Sequence, residues 1–148
     1  MSLKEKIQED VKDAMRARDK ARIGTLRMVT AAIKQVEVDT RTDMSDEAVV
    51  LVLDKMAKQR RESLEQYEAA GRDDLAEQER YELGVLADYL PEPLSEAELA
   101  SLIDEAISST GAAGMQDMGK VMGVLKPQVQ GRADMKALSG IIRTRLNS

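Results

Sequence analysis

The chain has 148 residues, of which 43% are apolar and 33% charged, with a formal net charge of −5. That length suits one domain or two small ones. It holds no cysteine and no histidine, which excludes disulfides and thiolate metal sites and removes the commonest general base and metal ligand. Tyr67, Tyr81 and Tyr89 are the whole aromatic content. A core must therefore be built from Leu, Ile, Val, Met and Ala, a palette that suits helix-on-helix packing better than stacked sheets. No apolar run approaches the ~18–20 residues that span a bilayer, and no apolar leader opens the chain. The expectation is an all-α, cytoplasmic protein with no cofactor, no metal and no membrane contact.

The charge is unevenly placed. Residues 72–114 carry two basic side chains against eleven acidic ones. Residues 115–148 reverse the balance, with Lys120, Lys126, Arg132, Lys136, Arg143 and Arg145 against Asp117 and Asp134. The acidic total argues against tight, indiscriminate nucleic-acid binding, which phosphate neutralisation drives. The basic tail leaves room for a local anion contact.

In chain order, Ser2 caps a first helix with the stripe Leu3, Ile7, Val11, Ala14 and Met15. After a break near Asp19, a second helix carries Ile23, Leu26, Thr30, Ile33 and Val36 or Glu37. Asp39–Asp43 is polar and reads as a loop. Ser45 caps a third helix, with Asp46 and Glu47 favourable to its dipole and Val49, Leu53, Met56, Arg60, Leu64 and Tyr67 on one stripe. Gly71 supplies its C′ stop. A fourth helix runs from about Asp74 to Tyr89 with Leu75, Leu83, Leu86 and Leu90 inward. Leu90–Pro91–Glu92–Pro93 cannot continue it and marks a boundary between domains at 1–90 and 91–148. Ser95 and Glu98 form a capping box with Leu94 and Leu99 as its staple. The fifth helix then runs to about Ser108, with Leu102, Ile103, Ala106 and Ile107 inward. Beyond a link at Thr110–Gly114, a sixth helix with Met118, Val121, Met122 and Leu125 inward ends near Lys126–Pro127. Gly131 turns the chain, and the last helix reaches Leu146 with Leu138, Ile141, Ile142 and Arg145 or Leu146 on one face. No strand is predicted: Val49–Leu53 is apolar, but its acidic cap and long continuation favour helix.

Four features bear on chemistry. Gly119 and Gly123, one turn apart around Lys120, leave a flat strip on the sixth helix. Either an RNA backbone or partner helix approaches it, or another helix of this chain packs there. Gly131–Arg132–Ala133–Asp134 joins the last two helices. Arg132 beside free helix N–H groups can hold a phosphate, or it can be a solvated arginine in an ordinary connection. Lys58–Gln59–Arg60–Arg61 interrupts the third helix, with Arg60 on its apolar stripe. It forms a charged contact surface, an arginine snorkelling to the edge, or an ion pair with the acidic fourth helix at Glu77, Glu79 or Glu82. Lys20, Arg27, Lys34 and Arg41 recur every seven residues as a basic stripe or a solvated face. No phosphate loop, dinucleotide fingerprint or nucleophile elbow is present, and no pair of carboxylates stands out for acid–base work.

Gly119–Lys120–Val121–Met122 followed by Gly131–Arg132–Ala133–Asp134 resembles the YqeY family. The resemblance extends through Ala14–Met15–Arg16–Ala17–Arg18–Asp19, Leu26–Arg27, Lys58–Gln59–Arg60, Glu62–Ser63, Tyr67, Ala70–Gly71–Arg72, Asp74–Leu75–Ala76 and Tyr89–Leu90–Pro91. That family shares its C-terminal region with the tail of GatB, the B subunit of glutamine-dependent tRNA amidotransferases. The resemblance implies an N-terminal helical domain followed by a C-terminal three-helix module of GatB/YqeY type. It also implies tRNA contact through residues matching Gly119, Lys120, Met122, Gly131, Arg132 and Ala133, and a tie to carbon–nitrogen ligase chemistry with glutamine as the amido donor. Arg132 and Asp134 stand where the GatB tail usually has lysine and asparagine, and Met135 where YqeY members often have glycine.

The residues and the resemblance together suggest a tRNA- or RNA-associated binding module without a self-contained catalytic site. Its expected contacts are Gly119, Lys120, Gly123, Lys126, Gly131, Arg132, Arg143, Lys58 and Arg60. The partner is tRNA or a tRNA-modifying or aminoacylating enzyme. The alternatives are a protein-interaction adaptor and a non-catalytic accessory of an amidotransferase.

Overall fold

The computed structural model describes residues 1–147 and is entirely helical among them. The helices are α1 (Leu3–Arg16), α2 (Lys20–Thr40), α3 (Asp46–Ala69), α4 (Asp73–Ala87), α5 (Glu96–Thr110), α6 (Met118–Val129) and α7 (Met135–Leu146). They fall into two compact units, Met1–Leu90 and the chain from Pro91 onwards.

In the N-terminal unit each of the first three helix starts has a local cause. Ser2 Oγ accepts the Glu5 N–H at 3.1 Å, Asp19 Oδ1 the Arg22 N–H at 3.1 Å, and Ser45 Oγ the Ala48 N–H at 3.2 Å. Each satisfies one of the donors a helix start leaves free. Asp46 Oδ1 also accepts the Leu3 N–H at 2.9 Å, tying the start of α1 to the start of α3. Gly71, at φ +69°, stops α3 as the sequence predicts. The core is aliphatic, with Ile7, Leu26, Val29, Val49, Leu53 and Leu86 wholly excluded from solvent.

Two local expectations fail in this unit. Met15 is half exposed, because the buried seam of α1 runs through Ile7 and Ala14 instead. Asp39 and Thr40 are helical, and α2 ends only when Arg41 turns left-handed at φ +56°. The Thr40 hydroxyl donates back to the Val36 carbonyl at 2.7 Å and lets a polar end stay helical. In α4 the buried positions are Ala76, Glu82, Val85 and Leu86, and Leu83, with Leu90 beyond the helix end, packs partly buried against the core as expected; Leu75 is partly buried.

One polar node lies inside this unit. The Tyr89 hydroxyl donates to Asp10 Oδ2 at 2.6 Å and accepts from Arg22 Nη2 at 3.4 Å. Lys6 Nζ lies 5.7 Å from the centre of its ring, within cation–π range. Burial, then the Asp10 hydrogen bond, pushes the phenol well above its usual range.

In the C-terminal unit, α5 starts with the expected capping box. Ser95 Oγ accepts the Glu98 N–H at 3.1 Å, and Glu98 Oε1 accepts the Ser95 N–H at 3.3 Å. A short 3₁₀ turn at Met115–Asp117 leads into α6. Ile103, Val121, Leu125, Val129, Leu138 and Ile142 form a wholly buried core. α6 does not stop near Pro127 but continues to Val129. Proline removes one backbone bond there, and the last turn is held because it carries Val129 into the core. Asp134 caps α7 by accepting the Lys136 N–H at 3.1 Å. Ile141, expected inward, is 39% exposed.

The polar node and the capping box can each be tested. Tyr89→Phe keeps the ring but leaves Asp10 without its hydroxyl donor, and a loss of about 1 kcal/mol is expected in urea unfolding. The Ser95 hydroxyl, then the Ser95 N–H, holds the Glu98 carboxyl below its ordinary value of 4.5. That stabilisation is present above pH 4.5 and is lost as pH falls through the lowered folded value. Thermal melts below that pH should fall more steeply for the natural chain than for Glu98→Gln, and parallel slopes would remove the capping carboxylate as a cause.

Candidate functional site

α6 shows one seam to the core and the opposite one to solvent. Val121, Leu125 and Val129 are fully buried, with Met118 and Met122 packed around them. At about 100° per residue, the far side carries Gly119 and Gly123, with Lys126 and Pro127 continuing it. All four are exposed. A Cβ built at Gly119 or Gly123 meets no atom within 4 Å. Each glycine costs about 1 kcal/mol relative to Ala in a helix interior, and no helix of this unit packs into the space they leave.

Lys120 and Lys126 flank the glycines on either side. Lys120 Nζ lies 3.6 Å from Asp117 Oδ1 and keeps 69% of its side chain in solvent. An exposed pair of this kind contributes little and leaves the cation accessible. The Asp117 carboxyl is held below its usual range chiefly by the Ala113 N–H at 2.9 Å, with Lys120 adding to it. Lys126 sits in the last turn of α6 and Arg143 in that of α7, both exposed. Helix C-terminal ends favour cations there.

Other residues expected at the surface are engaged within the fold. Gly131 is buried and left-handed at φ +77°, a conformation costly for any residue with a Cβ. Next to it, the half-buried Arg132 donates from Nε to the Glu92 carbonyl at 3.0 Å. The Arg132 carbonyl accepts the Leu94 N–H at 2.9 Å. Gly131–Arg132 thus straps the α6–α7 turn to the segment ahead of α5, with the guanidinium anchored through its Nε. Ala133 and Met122 are half-buried and pack on the core. Arg145 pairs with Asp104.

Lys58 and Arg60 belong to α3 in the N-terminal unit. Lys58 is exposed. Arg60 Nε lies 3.4 Å from Glu82 Oε2, with side-chain exposures of 15% and 11%, and its Nη1 donates to the Met56 carbonyl at 3.2 Å. Of the options the sequence leaves open for Arg60, this is the ion pair with the fourth helix, and it holds α3 to α4. Glu79 beside it is pushed up by burial and then by the Glu82 charge.

Two further open positions are not evident from the stripe of α6. Gly140 on α7 also has no atom within 4 Å of a built Cβ, and Val124 on α6 is 38% exposed. The three- and four-residue spacing of the small residues Ala137, Gly140 and Thr144 is the sequence signal that could have found the first of these. Among the described residues there is no helix long and apolar enough to cross a membrane, and no acidic cluster suited to a metal ion.

The sequence is similar to fungal proteins named altered inheritance of mitochondria protein 41. The relative from Pyrenophora tritici-repentis is 31% identical over 130 residues, covering 86% of this chain and 71% of the relative. That from Eremothecium gossypii is 35% identical over 94 residues, covering 62% of this chain and 51% of the relative. A third, from Kluyveromyces lactis, is 36% identical over 84 residues, covering 56% of this chain and 45% of the relative. The chain thus spans about half the length of the last two. All three carry mitochondrial names, and this overturns the expectation of a cytoplasmic address. The lack of long apolar runs, on which that expectation rested, does not identify a compartment. A family model described as Yqey-like protein matches residues 4–146. With nearly its whole length covered by that match, the chain belongs to the Yqey-like protein family.

Proposed function

We propose that this protein is a tRNA- or RNA-associated binding module whose contact surface is the open strip of α6. The carrying observation is the pairing of two unobstructed glycines with flanking exposed lysines on a chain of net charge −5. The glycines let a sugar–phosphate backbone come close to the helix, and Lys120, Lys126 and Arg143 supply the charge. Contact of this kind positions a nucleic acid without reading its bases. Glycine and lysine at the strip provide space and attraction and carry out no bond chemistry. Arg132 supports the surface from behind by fixing the turn that orients α7.

A second reading is a partner helix seated on the same strip. The exposure of Val124 at 38% beside the glycines favours it. Capture of one protein partner that persists after nuclease treatment, with bulk tRNA failing to bind, would select this reading.

Charge and space at the strip can be tested separately. Replacing Lys120, Lys126 and Arg143 by Ala together should weaken tRNA binding and flatten its dependence on salt, by roughly one unit of slope for each phosphate no longer neutralised. Titration with bulk tRNA at two salt concentrations measures both, and salt-insensitive or absent binding by the natural chain rejects the reading. Gly119→Ala with Gly123→Ala should raise helix stability by up to about 1 kcal/mol per site while lowering affinity. Stability and affinity rising together would mean that nothing needs to approach the helix.

A further inference from the structure

The proposed α6 surface leaves the seven-residue basic repeat of α2 unexplained. Lys20, Arg27, Lys34 and Arg41 are all exposed in the N-terminal unit. Three of them face hollows. A groove of about 450 Å³ is walled by Lys4, Gln8, Arg27, Thr30, Lys34 and Glu37, drawn from α1 and α2. A second hollow of about 340 Å³ shares Lys4, Lys34 and Glu37 with it and continues to Arg41 and Asp43.

The pairing inside this groove is unequal. Lys4 and Glu37 neutralise one another at 2.7 Å, and that hydrogen bond holds the Glu37 carboxyl below its usual range. Among the described residues, the Arg27 guanidinium has one hydrogen-bond partner, the Met15 sulfur at 4.0 Å. Among the described residues, Arg27, Lys34 and Arg41 form no close ion pair, although the Lys34 charge also helps lower the Glu37 carboxyl. Asp43, the other carboxylate of the lining, makes no close ion pair among the described residues and acts on Lys4 by its charge. The Thr30 hydroxyl is turned onto its own helix, donating to the Arg27 carbonyl at 3.0 Å, so the polar groups the groove offers are its charges and the Gln8 amide.

Spacing decides what such a groove can hold. A rise of 1.5 Å per residue sets successive cations about 10 Å apart along α2, and Arg27 to Arg41 about 20 Å. A lone phosphate meets one of these charges, whereas a linear chain of phosphates meets all three. No aromatic side chain lines either hollow, so bases find no stacking platform. We infer that the α1–α2 groove binds a linear phosphate chain by charge alone, either a single-stranded RNA backbone or inorganic polyphosphate. This site is separate from the α6 strip and does not depend on it.

The test titrates the full chain with long-chain inorganic polyphosphate and with a uridine homo-oligomer, using inorganic monophosphate as competitor. At least one linear chain should bind in a salt-dependent way that monophosphate at equal phosphate concentration does not displace. Which of the two binds identifies the source of the phosphates. Arg27→Gln with Lys34→Gln should weaken that binding about tenfold at low salt and reduce the salt slope by roughly two. Both side chains are exposed, and circular dichroism checks the fold. The charge-conserving pair Arg27→Lys with Lys34→Arg should bind as the natural chain does. Absence of binding by the natural chain, equal displacement by monophosphate, or unchanged affinity in the Gln variant overturns the inference. So does binding abolished only by Lys120→Ala with Lys126→Ala, an outcome that leaves the α6 reading standing.

Discussion

Burial of Val121, Leu125 and Val129 is the constraint on which the C-terminal unit depends. Those three side chains, wholly removed from water, fix the rotation of α6 about its axis. Once that rotation is set, Gly119 and Gly123 have nowhere to point but outward, and Lys120 and Lys126 must stand on either side of them. The same burial carries α6 through Pro127, because ending the helix earlier would leave Val129 unplaced. A surface feature is in this way the reverse side of a packing requirement.

Cations of this protein divide by what they are already attached to. Arg60 is held by Glu82 and the Met56 carbonyl, Arg132 by the Glu92 carbonyl, and Arg145 by Asp104. Removing Arg60 would first disturb the fold, since it leaves the largely buried Glu82 carboxylate without its partner. Lys126, Arg143, Arg27 and Lys34 are exposed and hold no such position. An anion can be attracted by the second set without any structural rearrangement. The net charge of −5 hides this division, because the acids concentrate in residues 72–114 and many serve as caps or ion-pair partners.

The N-terminal unit rests on a similar economy. Its aliphatic core supplies cohesion, and one polar node fixes how α1, α2 and the end of α4 meet. Tyr89 is 6% exposed and is satisfied by Asp10 and Arg22 together. A buried hydroxyl with both partners in place favours one arrangement of helices over its near alternatives.

The helical character, the caps at Ser2, Ser45 and Ser95, the stop at Gly71 and the turn at Gly131 were legible in the sequence, because each depends on a few adjacent residues. So was the pairing of Arg60 with the fourth helix as one of its options, since a charge on an apolar stripe requires a partner. Family membership was legible from short motifs spread along nearly the whole chain. Tertiary structure alone decided which member of each stripe is buried: Val29 and Ala76 inward, Met15 and Ile141 outward. Periodicity defines a face only to within about a residue, and neighbouring helices choose its centre. Tertiary structure also decided that the α6 glycines stand clear of their own unit while Arg132 is anchored through its Nε, because both facts depend on residues brought together from distant parts of the chain.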